Sequence, residues 1–248
     1  MKTFIKYLLQ KLFGYRRYLY LFSIFKINTI KWDKKENDFF SFISLIKGQK
    51  GILLDIGANI GVMSVHLSKS KKNCTLVAFE PIPSNIEIFK KIIRFYKLNN
   101  VKLLECALGN SEKKVKMVLP QVNQVFFQGL SHVLSEENKL NCKGITYEVQ
   151  MKKLDSFDFE DKILAIKIDV ENYEFEVLKG AKSVLSTHQP MIYCELWENE
   201  NRVDCFNLMK ELKYDIYCFV KKNLIPFDPK VHQTQNFIFI PITKNLES

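Results

Sequence analysis

The 248 residues suit one α/β domain with an extension at its N-terminus, and a hydrophobic content of 47% is ample for a core. A net charge of +10 favours an acidic partner such as nucleic acid, a phospholipid surface or a phosphorylated carrier, or else an ordinary lysine-rich surface. Six cysteines without C-x-x-C spacing, with four histidines, exclude the usual zinc patterns and indicate reduced, structural cysteines in a cytoplasmic protein.

Residues 1–32 form a basic, aromatic and helical segment. They hold seven lysines and arginines and no acidic residue. The longest uncharged run, 18–25, is too short to span a bilayer. Two interpretations stay open: the segment caps the following domain, or it lies peripherally on the anionic inner face of a membrane. We therefore predict an extension over 1–40 and a main domain over 41–248.

From residue 51 onward, apolar strands alternate with amphipathic helices, which is typical of an α/β fold with a parallel sheet. The predicted strands lie at 52–56, 75–79, 101–106, 163–169, 190–195, 214–220 and 235–240. The predicted helices lie at 61–69, 84–98, 173–186 and 201–212. This order predicts a single layered domain whose ligand site lies at the carboxyl ends of the parallel strands.

A glycine turn follows the first of these strands. Gly57 and Gly61 bracket it, and Asn59 between them tolerates a left-handed backbone. Glu80 ends the next strand, where its carboxylate can accept both hydroxyls of a ribose. Asp55 would repel a pyrophosphate, but it suits a ligand that has a positive centre and no phosphate. S-adenosylmethionine has these properties, whereas a nicotinamide dinucleotide, and hence an oxidoreductase, is the less favoured alternative.

An insertion over 109–161 interrupts the alternation. It contains predicted strands at 114–119 and 146–152, joined by a loop that carries His132. Long insertions beside the carboxyl ends of parallel strands often shape a substrate pocket. An imidazole such as that of His132 can act as a general base, although a polar surface role is the alternative.

Carboxylates follow the next two strands. Asp169 and Glu171 end one of them, and Glu195 ends the other, with Glu198 three residues further on. These groups can deprotonate an acceptor hydroxyl, or they can hold a divalent metal, and the sequence alone does not establish the metal. The alternative is that some of them are surface residues or form ion pairs with basic neighbours. The predicted catalytic residues are Asp169, Glu171, Glu195 and His132.

Five separate blocks make the sequence similar to the FkbM-like family of S-adenosylmethionine-dependent methyltransferases. They are LLDIGANIG at 53–61, FEPIP at 79–83, AIKIDVENYEFEVLKGA at 165–181, IYCEL at 192–196 and NFIFIP at 236–241. One departure is Asn172, where the family usually has glycine, but asparagine also tolerates positive φ. The resemblance covers roughly residues 51–241.

The resemblance implies a class I methyltransferase fold, with a seven-stranded sheet, an antiparallel edge hairpin and the inserted β segment on the substrate side. It also implies O-methylation of a sugar hydroxyl in a surface glycan or a related metabolite. An inactive cofactor-binding homologue stays open, and no nucleic-acid-binding module is recognisable. The predicted cofactor-binding residues are Asp55, Gly57, Asn59, Gly61, Glu80 and Pro81.

Overall fold

The structure is a computed structural model that describes residues 2–47, 50–122, 124–127, 129, 131–133 and 144–242. The α-helices are α1 (Lys2–Phe13), α2 (Tyr15–Thr29), α3 (Asn37–Leu45), α4 (Val62–Ser70), α5 (Pro83–Phe95), α6 (Glu174–Lys179), α7 (Lys182–His188) and α8 (Glu200–Glu211). Short 3₁₀ helices lie at Ile30–Trp32, Lys34–Glu36 and Leu154–Ser156. Among these described residues, none of the helices combines the length and apolar character that crossing a bilayer requires.

The strands fall into a main sheet and a smaller second sheet. In chain order they are β1 (Gly51–Ile56), β2 (Cys74–Phe79), β3 (Val101–Leu104), β4 (Ala107–Leu108), β5 (Lys113–Val122), β6 (Val125–Phe126), β7 (His132–Val133), β8 (Gly144–Lys152), β9 (Ile163–Ile168), β10 (Met191–Glu195), β11 (Tyr214–Val220), β12 (Asn223–Pro226) and β13 (Asn236–Pro241). In the part of the chain that is described, the main sheet has eight strands in the order β12-β11-β13-β10-β9-β1-β2-β3.

The main sheet confirms the predicted α/β class. Strands β3, β2, β1, β9 and β10 run parallel, and β13 is antiparallel to both β10 and β11. The predicted count of seven strands is wrong by one, because β12 forms a hairpin with β11 at the edge of the sheet. Lys221 and Lys222 form its two-residue turn with φ of 51° and 70°, the backbone of a type I′ turn.

Helices cover both faces of the sheet, which explains why β1 is buried along its whole length. Helices α6, α7 and α8 pack on one face. Helices α3, α4 and α5 pack on the other, and α2 lies against α4 and α5 through Leu19 and Ile27. The predicted boundary at residue 40 falls inside α3, where Phe39 and Phe42 are buried, and it stays a prediction.

The helix predicted over 173–186 is two helices. The chain turns at Gly180, where an added Cβ would collide with the carbonyl oxygen of Gly109. Asp155 then accepts hydrogen bonds from the backbone N–H groups of Ser183 (3.1 Å) and Val184 (2.9 Å), which caps the first turn of α7. The break therefore comes from a close tertiary approach that a helical pattern does not reveal.

The insertion forms the second sheet, with the order β4-β8-β5-β6 and with β7 paired to β5. Its buried side chains, Met117, Val149 and Met151, pack against Ile82 and Ala107 beside the ends of the main strands. The cysteines 74, 106, 194, 205 and 218 are free and buried. Cys142 and most of the inserted loop that follows Val133 lie outside the described residues.

Candidate active site

A cavity of about 180 Å³ lies at the carboxyl ends of β1, β2 and β9. The inserted sheet forms its opposite wall. Its lining includes the polar residues Asn59, Glu80, Asn85, Ser131, Asp169, Glu171 and Tyr173 and the apolar residues Ile56, Phe79, Pro81, Ile82, Met117, Val133 and Val170. This is the location predicted for the ligand site of an open α/β sheet.

The turn after β1 has the left-handed backbone that its sequence predicts. Gly57, Asn59 and Gly61 have φ of 78°, 52° and 83°. A Cβ on Gly57 would collide with the carbonyl oxygen of Asp169, and one on Gly61 would collide with the ring of Phe89. These glycines therefore allow the turn to pack against the loop after β9 and against α5, and Gly57 also lines the cavity.

Glu80 links this turn to the start of α5. Its Oε2 accepts the N–H of Asn59 (2.8 Å), and its Oε1 accepts the N–H of Ile82 (2.9 Å) and the Nδ2 of Asn85 (3.2 Å). Burial raises the pKa of Glu80 to about 7, although these hydrogen bonds oppose the shift. Since a carboxylate has about four acceptor positions, the protein leaves one of them for a ligand.

Asn85 lines the cavity and carries an unpaired acceptor. Its amide donates through Nδ2 to Glu80, which leaves Oδ1 as the acceptor atom. That oxygen is buried without a hydrogen-bond partner, and the residue is 1% exposed. A buried acceptor without a donor is costly, so a ligand that carries an N–H or O–H group there would relieve the cost.

Asp55 lies behind the turn and does not line the cavity. It is 0% exposed, accepts a hydrogen bond from the hydroxyl of Ser64, and forms an ion pair with Lys167 at 3.2 Å that is not aligned as a hydrogen bond. The Lys167 Nζ donates to the carbonyl of Gly57 (2.9 Å) and lies 3.5 Å from Asp169. Asp55 thus fixes the turn and Lys167, whereas its place in the sequence predicted direct contact with the ligand.

Lys167 stays charged although it is buried. Burial favours its neutral amine, but the carboxylates of Asp55 and Asp169 outweigh this and hold the pKa of Lys167 above its ordinary value. A charged residue inside the apolar strand Ile163–Ile168 was the sequence feature that could have placed it in the site. It orients the backbone of the glycine turn and the side chain of Asp169 together.

The loop after β9 brings Asp169 and Glu171 to the cavity wall. Glu171 and Asn172 both have positive φ (54° and 70°), so the asparagine supports the turn as predicted. Glu174, which the sequence analysis did not select, fixes this loop: its Oε1 accepts the N–H groups of Val170 (3.2 Å) and Asn172 (3.1 Å). Non-glycine residues held at positive φ are concentrated at functional sites.

The carboxyl group of Glu171 titrates near neutral pH. Burial raises its pKa to about 8, and repulsion from Asp169, Glu195 and Glu174 adds to the shift. Burial and the charge of Asp169 likewise raise the pKa of Glu195 to about 7. Glu36, from the segment before α3, is close enough to contribute to the shift at Glu195. The carboxylates around Lys167 therefore outnumber it.

The other predicted catalytic residues lie away from the cavity lining. Glu195 is half-buried at the end of β10, and Glu198 is exposed. His132 lies on β7 between Ser131 and Val133, which line the cavity, but it is not itself among the lining residues. Arg202, a basic neighbour of Glu198 in the sequence, donates to the carbonyl groups of Leu196 (2.8 Å) and Trp197 (3.1 Å).

The cavity residues fit S-adenosylmethionine. An excess of carboxylates suits a ligand with a sulfonium and an ammonium group, and Glu80 retains an acceptor position for a ribose hydroxyl. The unpaired Oδ1 of Asn85 suits an amino group such as that of adenine. Among the described residues, no group of three or more His, Cys, Asp and Glu side chains could hold a metal ion. A divalent metal thus stays a prediction that this geometry does not test.

Comparison with known proteins points to one family. The model of the methyltransferase FkbM domain matches residues 55–216. A solved structure, methyltransferase FkbM from Methylobacillus flagellatus KT, superposes with a TM-score of 0.53 at 16% identity, covering 79% of this chain and 45% of that one. This superposition supports the fold alone.

Two curated relatives, both named as methyltransferases, are also similar. Methyltransferase 1 of Beauveria bassiana (strain ARSEF 2860) is 26% identical over 147 residues, which cover 52% of this chain and 57% of that protein. Methyltransferase sdnD of Sordaria araneosa is 26% identical over 194 residues, covering 66% of this chain and 73% of that protein. The match thus spans little more than half the length of the first relative.

Proposed function

Because the chain belongs to the FkbM family of methyltransferases, we propose that it transfers a methyl group from S-adenosylmethionine to a hydroxyl group. One observation carries the proposal. The acceptors suited to an adenosine, on Glu80 and Asn85, line the same cavity as Glu171, a carboxyl group with a pKa of about 8. A base that titrates near neutral pH is what a hydroxyl acceptor requires.

Each cavity residue has a distinct role in this proposal. Glu80 and Asn85 bind the adenosine, and Glu171 takes the proton from the acceptor hydroxyl. Lys167, whose Nζ lies 3.5 Å from Asp169, holds that side chain in a fixed orientation beside Glu171. When bound, S-adenosylmethionine would supply an electrophilic methyl group on a positively charged sulfur. The inserted sheet forms the opposite wall of the cavity.

The acceptor we propose is a sugar hydroxyl, in a surface glycan or a related metabolite. Sugars present hydroxyls that need a base, and the cavity wall offers carboxylates and the Ser131 and Tyr173 hydroxyls as hydrogen-bonding groups. Mass spectrometry of surface glycans from cells with and without the protein would identify the methylated position. Glycans that do not change in mass would contradict this choice of acceptor.

Calorimetry with the full chain tests the cofactor. S-adenosylmethionine and its demethylated product should bind in the micromolar range, on the order of −8 kcal/mol. NADH should not bind, because the carboxylates of the cavity repel its pyrophosphate. Binding of NADH in place of S-adenosylmethionine would show an oxidoreductase site on this fold.

A further inference from the structure

Helix α1 turns its apolar side to solvent. Its exposed apolar residues, with exposures from 37% to 77%, are Phe4, Ile5, Leu8, Leu9, Leu12 and Phe13. They repeat at intervals of four, as two adjacent rows on one half of the helix. The buried side carries a polar residue, Gln10, which is 8% exposed. A helix of a water-soluble domain ordinarily has the reverse arrangement.

The structure holds the apolar face of α1 outward. The Nε2 of Gln10 donates to the carbonyl of Phe126 (3.2 Å), and its Oε1 accepts the N–H of the same residue (3.1 Å). These two bonds fix the polar side of α1 against β6, and α1 also packs on α2. Rotating the apolar rows inward would break both hydrogen bonds and leave a backbone pair unsatisfied.

Basic residues accompany this apolar face on α1 and α2. The Nζ of Lys6 lies 4.8 Å from the centre of the Phe127 ring, while Lys11 and Arg17 are exposed. Residues 1–32 contain seven basic and no acidic residues. On α2, Leu21 and Phe25 are 50% and 62% exposed and follow Arg17 at intervals of four. Arg16 and Lys26 form ion pairs with carboxylates that follow the segment in the chain. The segment thus offers large apolar side chains together with the exposed cations of Lys11 and Arg17.

We propose that α1 binds an anionic lipid surface, with its two apolar rows in the boundary between headgroups and acyl chains and its basic residues on the headgroups. Charge selects this occupant over a second copy of the chain, because two copies joined at this face would bring like charges together. Anionic lipid attracts each lysine or arginine near the surface. The two interpretations of residues 1–32 then belong to different helices: α2 is a cap and α1 is the membrane contact.

Vesicle co-sedimentation with the full chain tests the proposal. Phosphatidylcholine vesicles containing phosphatidylserine should bind the protein much more tightly than vesicles of phosphatidylcholine alone, and added salt should weaken the binding. Leu8→Gln with Leu12→Gln should reduce affinity at least about tenfold. The matched control is Val203→Gln with Val231→Gln. Val203 and Val231 are 56% and 71% exposed on other parts of the protein, so this variant should bind the vesicles as tightly as the wild type.

A second pair of variants tests the charge. Lys11→Gln with Arg17→Gln should reduce affinity for the anionic vesicles about fivefold per charge, whereas Lys116→Gln with Lys230→Gln should not. Circular dichroism checks that each variant is folded. The proposal fails if the protein does not bind anionic vesicles. It also fails if the Leu8 and Leu12 variant binds them as tightly as the Val203 and Val231 variant does. Finally, it fails if the chain is a dimer that the Leu8 and Leu12 variant converts to monomers, because a second copy then covers the face.

Discussion

Glu80 accepts three hydrogen bonds from the protein and keeps one acceptor position toward the cavity. Glu80→Ala should therefore weaken binding of S-adenosylmethionine by roughly 1–3 kcal/mol, the cost of losing charge-assisted hydrogen bonds. Calorimetry measures the change, and Glu112→Ala, an exposed glutamate on the loop before β5, is the control. Unchanged affinity in the Glu80 variant would show that the ribose lies elsewhere.

Glu171 is the residue on which we expect turnover to depend. Glu171→Gln keeps the shape of the side chain and removes the base, so it should lower turnover by ~10²–10⁴. In the wild type, activity should rise with pH as the carboxyl group deprotonates near its pKa of about 8, and this rise should disappear in the variant. Steady-state kinetics across pH measure both effects.

Matched variants distinguish Glu171 from the other groups that could activate the acceptor hydroxyl. Glu198→Gln removes an exposed carboxylate from the same edge of the sheet and should leave turnover unchanged. Near-normal turnover in Glu171→Gln, combined with loss in His132→Ala, would assign the base to the inserted sheet. Loss of wild-type activity in EDTA, restored by a divalent ion, would assign a metal to the acceptor side instead.

The sequence predicts the position of some residues of the site but not of others. Gly57, Asn59, Glu80 and Pro81 were predicted at the ligand cavity, and they line it. The sequence could not show that Asp55 points away from the cavity, because this depends on Lys167, which comes from another strand 112 positions later. Side chains that act through such long-range pairs leave no local pattern.

Helix α2 has one buried side and one exposed side, and a leucine on each allows their contributions to stability to be compared. Leu19 is 0% exposed against α4 and α5, whereas Leu21, two positions later, is 50% exposed. Leu19→Ala should lower the free energy of unfolding by about 2–5 kcal/mol, because it leaves a cavity in the core. Leu21→Ala should change it by less than about 0.5 kcal/mol. Urea denaturation measures both, and equal effects would contradict the role of α2 as a cap.

The elements that the sequence missed lack the usual local markers. Strand β12 follows a type I′ turn made by Lys221 and Lys222, whereas such turns are normally recognised by asparagine and glycine. The break between α6 and α7 depends on the contact of Gly180 with Gly109, which are far apart in the chain. The long, periodic elements, in contrast, were placed within one to three residues, because burial on both faces of the sheet determines their pattern.

On the scale of the whole molecule, the charges are separated. The chain has a net charge of +10, and its basic residues dominate the segment over 1–32. The cavity, in contrast, is lined by Glu80 and Glu171, and Glu195 is near enough to Glu171 to repel its charge; the pKa of each of these carboxyl groups is raised. A positively charged ligand and an anionic surface would therefore bind at different places on the same protein, without competing for charge.

The raised pKa values make stability depend on pH. Glu80, Glu171 and Glu195 have pKa values of about 7, 8 and 7 in the fold and an ordinary value of 4.5. The folded state thus binds more protons than the unfolded state between these limits. The stability that these groups contribute is fully present below pH 4.5 and is lost as the pH rises through 7 and 8.

We therefore expect the free energy of unfolding of the free protein to fall between pH 6.5 and 8. Each group contributes at most about 1.4 kcal/mol per pH unit. The lowered pKa values of His66 and His188 act in the opposite direction, but only below about pH 6.5, where an ordinary histidine titrates. Urea denaturation at several pH values measures the slope, and Glu195→Gln should reduce it.

S-adenosylmethionine should oppose this loss, because a cation in the cavity favours the ionised carboxylates. Its dissociation constant should then decrease as the pH rises from 6.5 to 8, while the protein with bound ligand loses less stability than the free protein over the same range. Calorimetry at each pH measures the first effect and urea denaturation the second. An affinity that is independent of pH would mean that the positive groups of the ligand lie away from Glu171 and Glu195.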